Sequence, residues 1–181
     1  MTDDEPPTLV TADMIAARDV WSEPVRSWPV SATAIRRWAQ AVYWPEVPPP
    51  IFWDEDYARG TVWGGIVAPH EFNPFAWPLE GAYGQETALA ELHGEPEPAQ
   101  PRVTAGRGTR GLNGGLAIRY VTRLRPGDVV SSTTALTSWS ERETRLGLTL
   151  FSAYETRWSL PSGELVKVMT QTRLSYRPEG E

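Results

Sequence analysis

Few side chains in this 181-residue chain could move a proton or grip a metal. There are two histidines, His70 and His93, and no cysteine. Histidine is the side chain that exchanges protons near neutral pH. His70 has Glu71 beside it, and the pair could act as base and acid in a proton transfer. The other reading of His70 is a polar residue flanking a helix start. Glu46 is the one carboxylate between Ala41 and Asp54. His93 lies in a polar stretch and reads as solvated. Two distant histidines without a cysteine give no zinc ligand set and no disulfide. There is no Gly-rich phosphate loop and no Gly-x-Ser-x-Gly elbow. Arg107 and Arg110 could meet phosphates, or stand as a solvated pair. Trp44, Trp53, Trp63 and Trp77 could line a cavity for a flat or bulky group, or pack a core.

The elements that must position these groups follow from periodicity. Ile35, Trp38, Ala39 and Val42 fall on one face of a helix. Ser31 or Thr33 can cap its start, and Trp44-Pro45 should end it. Asp54 reads as the cap of a short helix from Glu55 to Arg59, more than as an acid. Pro69 sits where a third helix, residues 69–79, could begin. Trp21 to Val30 could hold an edge strand broken by Pro24 and Pro29. Leu116, Ile118, Tyr120, Thr122 and Leu124 share a strand face. Arg125-Pro126-Gly127-Asp128 is a turn, and Val129 to Thr137 a strand. Ser138 to Arg145 reads as a polar connection, Leu148 to Trp158 as a strand and Pro161-Ser162-Gly163 as a turn. In the last strand, Glu164 to Tyr176, the core face should be Val166, Val168, Leu174 and Tyr176. Helix first and then hairpin-linked strands is an α+β order. Residues 1–15 read as a flexible N-terminal arm, and 80–110 as an exposed excursion with a helical patch at Thr87–Leu92.

Composition closes off other classes. A net charge of −6 argues against binding nucleic acid, which wants a basic face. No apolar run reaches the roughly 20 residues of a membrane-spanning helix. The acidic start, MTDDEPPTLV, has no apolar core of a signal peptide, so the expected location is cytoplasmic. Lys167 is the only lysine; set against the many arginines, it reads as a coding bias without functional meaning.

Five short stretches carry a family resemblance through their order and spacing. They are Ile35-x-x-Trp38-Ala39-x-Ala41, Asp54-x-x-Tyr57-Ala58-Arg59, Gly64-Gly65-Ile66-Val67-Ala68-Pro69, Leu112-Asn113-Gly114-Gly115 and Arg125-Pro126-Gly127-Asp128. From about Val20 to Pro178 the chain resembles the MaoC-like hot-dog dehydratases and hydratases, in particular their N-terminal, non-catalytic half-domain. The resemblance implies a single hot-dog domain over residues 16–178, an antiparallel sheet wrapped around a central helix.

Catalytic members of that family hydrate or dehydrate acyl thioesters with an Asp and a His inside Gly-Asp-x-Asn-Pro-x-His-x-Asp. Here the Asp position falls on Trp44 and the His position on Phe52, and the glycine at the central helix start is replaced by His70. Losing one positioned acid–base group costs roughly 10²–10⁴-fold, so the resemblance implies no catalytic residue in this chain. It implies instead a half that shapes an acyl-binding tunnel, with Trp44, Phe52, Trp53, His70, Trp77, Asn113 and Gly114 as substrate-binding candidates. A second hot-dog chain, a catalytic subunit or another copy, would supply the dyad. The acyl group would arrive on coenzyme A or a carrier protein, with no other cofactor. Two alternatives stay open: a stand-alone thioester enzyme using His70, Glu71 and Glu46, and a non-catalytic acyl-thioester binding module.

Overall fold

The helix-first order is what folds. A computed structural model describes residues 8–76 and 106–178. Its elements are α1 (Ala12–Ala17), β1 (Val25–Arg26), α2 (Ala32–Tyr43), a 3-10 turn (Pro50–Phe52), α3 (Glu55–Arg59), β2 (Arg110–Tyr120), β3 (Ser131–Thr144), β4 (Gly147–Ser159) and β5 (Leu165–Tyr176). The strands form one antiparallel sheet in the order β1-β3-β4-β5-β2.

The helix limits have local causes. The Ser31 hydroxyl accepts from Ala34 N at 3.0 Å, capping α2, and α2 stops at Tyr43, just before Trp44-Pro45. Asp54 Oδ1 accepts from the N–H groups of Asp56 and Tyr57, both at 3.0 Å, so it is the cap of α3. The Arg36–Glu55 ion pair at 2.7 Å ties α2 to α3.

Several expectations shift. The flexible arm does not extend over residues 8–15: Thr11 caps α1, and Leu9 and Met14 are buried. Residues 1–7 lie outside the described residues, as do most of the excursion, the patch at Thr87–Leu92, His93 and Trp77. The edge strand shrinks to the two residues of β1, between the two prolines. The polar stretch Ser138–Thr144 continues β3 and pairs with Gly147–Ala153. An antiparallel sheet can wet one face, so polarity alone does not end a strand. β2 starts at Arg110, ahead of the expected Leu116.

The helix expected over 69–79 does not form over 69–76, which runs as successive turns. Pro74 is the reason. It lacks the N–H that would bond back to His70, and it pushes Asn73 out of the helical region. Asn73 Oδ1 accepts from Phe75 N at 3.0 Å instead.

The core has two parts. The larger gathers Ile35, Ala39, Phe52, Ala58, Ile66–Ala68 and Phe72 against Leu124, Val130, Trp158 and Val166 of the sheet side. The smaller packs Leu9 and Met14 on Leu136, Leu150 and Tyr154.

Candidate functional site

The segment after α3 is fixed at two points. Ala68 N donates to Leu124 O at 2.8 Å, and Arg123 Nη1 donates to Ala68 O at 3.0 Å. Those bonds hold the next residues, Pro69 and His70, against the starts of β5 and the end of β2. There the sheet is irregular. Trp158 faces Lys167 and Ser159 faces Leu165, leaving Val166 as an extra residue. Such a bulge re-aims the side chains around it, and here Val166 and Lys167 are both buried. The parity of β5 therefore flips. Lys167, Met169, Gln171 and Arg173 lie opposite Trp158, Thr156, Tyr154 and Ser152. Of the face expected from sequence, Val166 joins the core, while Val168, Leu174 and Tyr176 lie on the other side of the sheet.

The result is a small cavity of ≈ 10 Å³ lined by His70, Tyr120, Arg123, Trp158 and Lys167 among others, about the volume of one water. Lys167 is 6% exposed. Its Nζ lies 3.6 Å from the centre of the Trp158 ring and 5.9 Å from that of Tyr120. The His70 and Tyr120 rings are 4.7 Å apart at 37°. His70 Nδ1 is buried and has no hydrogen-bond partner among the described residues.

Burial sets the electrostatics. It lowers the His70 pKa from its ordinary 6.5, and the nearby Arg123 guanidinium lowers it further, against a smaller upward pull from Glu71. His70 is thus mainly neutral at pH 7. Burial also lowers the Lys167 pKa, again partly offset by Glu71, and raises that of the Tyr120 phenol, with Glu71 adding to the rise. The cavity presents a neutral imidazole, a buried amine and a phenol. These groups can hold and share protons with one small oxygen-bearing group.

The other candidates do not gather here. Trp44 is 76% exposed at the end of α2, and Glu46 is exposed beyond it. Phe52 is a core residue with the Arg123 guanidinium 5.6 Å over its ring. Trp53 is partly exposed, its Nε1 donating to Pro48 O at 2.9 Å. Glu71 is exposed, although its charge reaches His70 and Lys167. Asn113 and Gly114 form a bulge in β2, where the carboxamide accepts from Gly115 N at 3.2 Å and a Cβ on Gly114 would collide with Leu174. Asn113 borders a separate open cavity with Tyr154 and Arg173. An apolar groove of ≈ 510 Å³ is lined by Trp28, Ala34, Trp38, Phe72 and Pro74 among others, so its aromatics are not the tryptophans singled out from sequence. Lys167, Tyr120, Arg123 and Trp158 escaped the sequence reading. The one available signal was a lone lysine between two valines on a strand.

Comparison with known proteins bears on this arrangement. The family model described as "FAS1-like, dehydratase domain region" matches residues 19–169. No curated protein matches in sequence. Among solved structures, the chain is similar to one from the ChsH1–ChsH2 complex of Mycobacterium tuberculosis, with 20% identity, TM-score 0.61, and 93% of this chain and 96% of that one covered. A MaoC-like dehydratase from Rhodospirillum rubrum shows 18% identity and TM-score 0.52 over 86% and 91%. The C-terminally truncated HadBC (3R)-hydroxyacyl-ACP dehydratase complex of M. tuberculosis shows 17% identity and TM-score 0.51 over 88% and 99%. At these identities the likeness speaks for the fold: a single hot-dog domain of α+β class with a curled five-stranded sheet. No helix among the described residues is long and apolar enough to cross a membrane.

Proposed function

The chain belongs to the FAS1-like dehydratase-region family, and from that premise we propose that it is a subunit of a two-chain enoyl-thioester hydratase or 3-hydroxyacyl-thioester dehydratase. A second hot-dog chain supplies the Asp/His dyad, and this chain closes the acyl site. The acyl group rides on coenzyme A or a carrier-protein arm, with no other cofactor, in the cytosol. One observation carries the reading: the connection from α2 to α3 has no histidine, and of its two carboxylates Glu46 is exposed and Asp54 is spent on capping α3.

Two features support pairing. Among the described residues β2 is an 11-residue strand at the edge of the sheet, exposed along nearly all its length, with Leu112, Leu116 and Ile118 showing. An open edge of that length invites a partner strand. Two of the structural relatives are themselves complexes of two named subunits.

The test is hydration of an enoyl-CoA panel, followed as loss of the conjugated thioester absorbance. The purified chain alone should be inactive, and adding a dyad-bearing hot-dog chain encoded beside it should restore turnover. Turnover by the chain alone that disappears in His70→Ala would overturn this reading. It would favour the stand-alone enzyme, for which the orphaned His70 Nδ1 speaks. Acyl-CoA binding without turnover in either arrangement would leave the binding module.

A further inference from the structure

Two polar side chains with no hydrogen-bond partner among the described residues, Lys167 and His70 at its Nδ1, line the same cavity. Lys167 is the only lysine of the chain, is more than nine-tenths buried, and is turned inward by the bulge at Val166. Its neighbours there are the faces of Trp158 and Tyr120. No hydrogen bond or ion pair of its side chain is found among the described residues. Among the described residues two side-chain nitrogens are fully buried with no partner: His70 Nδ1, which lines this cavity, and Trp38 Nε1, which does not. Buried polar groups are nearly always satisfied, and each exception needs a reason. A buried ammonium is costlier still to leave unpaired. Aromatic faces relieve part of that cost, but they offer an ammonium no acceptor.

The surroundings say what is missing. Arg123 also lines the cavity. Its Nη1 is committed to Ala68 O, and its guanidinium lies over Phe52 and Trp63. Tyr120 is a phenol held neutral by burial and by Glu71. Glu71 is exposed and acts on the cavity through its charge. The balance is positive and rich in donors, so it calls for an acceptor. The space is about that of one water, so it admits one oxygen atom and not a phosphate.

We propose that Lys167 Nζ and His70 Nδ1 together bind a single carbonyl or carboxylate oxygen, at the mouth of the cavity between Tyr120 and Trp158. The ammonium donates one N–H to that oxygen. His70, in the tautomer carrying its proton on Nδ1, donates the second. The oxygen comes either from a thioester carbonyl or from a free carboxylate. The site lies wholly within this chain and needs neither a partner nor turnover, so it stands or falls apart from the subunit reading.

The single lysine makes the test direct. Protein labelled with ¹³C-lysine gives one lysine Cε–Hε cross-peak, and it reports on Lys167 alone. Acetate, butyrate, butyryl-CoA and unacylated coenzyme A are each titrated into the wild-type chain at constant ionic strength. A saturable shift with the carboxylates, with a rise in the Lys167 pKa, identifies a carboxylate site. A shift with butyryl-CoA that coenzyme A does not produce identifies a thioester carbonyl. In either case His70→Ala should weaken the binding by about tenfold, the loss of one hydrogen bond. A cross-peak that moves with none of the four, or moves equally with coenzyme A, overturns the proposal and leaves the cavity to water alone.

Discussion

The connection between α2 and α3 and the cavity at the start of β5 border the same core, yet they divide its chemistry unequally. They touch through Val67 N and Ile51 O at 3.4 Å and through Arg123, whose guanidinium covers Phe52 while lining the cavity. The connection is where resemblance places a catalytic pair. It holds an exposed tryptophan, a core phenylalanine and carboxylates that are solvated or spent on capping. The cavity is where no motif pointed. It holds the lone lysine, the one described histidine and a tyrosine. A bulge of one residue in a strand has done what a helix–loop motif does elsewhere, which is to turn a polar side chain into the core.

That contrast can be broken at several points. The largest effect should come from Trp158→Ala, which removes the aromatic floor shared by Lys167 and Phe75. Deleting a buried tryptophan costs about 3–5 kcal/mol, readable from urea unfolding. A loss below about 1 kcal/mol would mean that the cavity wall is not part of the core. Next is Asp54→Ala, which should cost about 1 kcal/mol by uncapping α3, while Asp54→Asn keeps most of the stability. Neither should alter the turnover of the reconstituted pair. If Asp54→Asn abolished it, the connection would hold chemistry after all.

Lys167→Met gives a smaller effect with a definite sign. The folded protein binds the lysine proton less tightly than the unfolded chain does. Wild-type stability should therefore rise as pH climbs from the folded pKa towards 10.5, the ordinary lysine value. Lys167→Met should be at least as stable at pH 7 and should lack that rise, measured by chemical unfolding across the alkaline range. Glu46→Gln should do least, within about 0.5 kcal/mol and with no change in the activity of the pair. A tenfold loss of activity would restore Glu46 as a catalytic candidate.

Much of the fold was legible because its signals are local. Ser31, Asp54 and Trp44-Pro45 bracket the two helices through bonds within four residues, and Leu116–Tyr120 and Leu148–Trp158 show their alternation directly. The wrong core face of β5 arises where one residue, Val166, changes the parity of everything after it. That bulge cannot be seen until the partner strand is known, and a single slip exchanges the two faces of a strand. His70 is picked out by its type and by standing where the family has a glycine. Lys167 was noticed as a composition oddity, because its meaning depends on the bulge. Pro74 is a helix breaker inside 69–79, a signal that runs against the helix start offered by Pro69.

The solitary lysine also makes the sheet its own gauge. A protease that cuts only after lysine has one peptide bond to attack, Lys167–Val168. That bond lies inside β5, which is hydrogen-bonded to β4 on one side and β2 on the other. The strand cannot enter a protease cleft until both ladders part. When closing is fast relative to cleavage, the cutting rate tracks the population of the opened form. Digestion under native conditions would then yield two fragments at a rate set by how often the centre of the sheet comes apart. Capping the β2 edge with a partner strand would slow it.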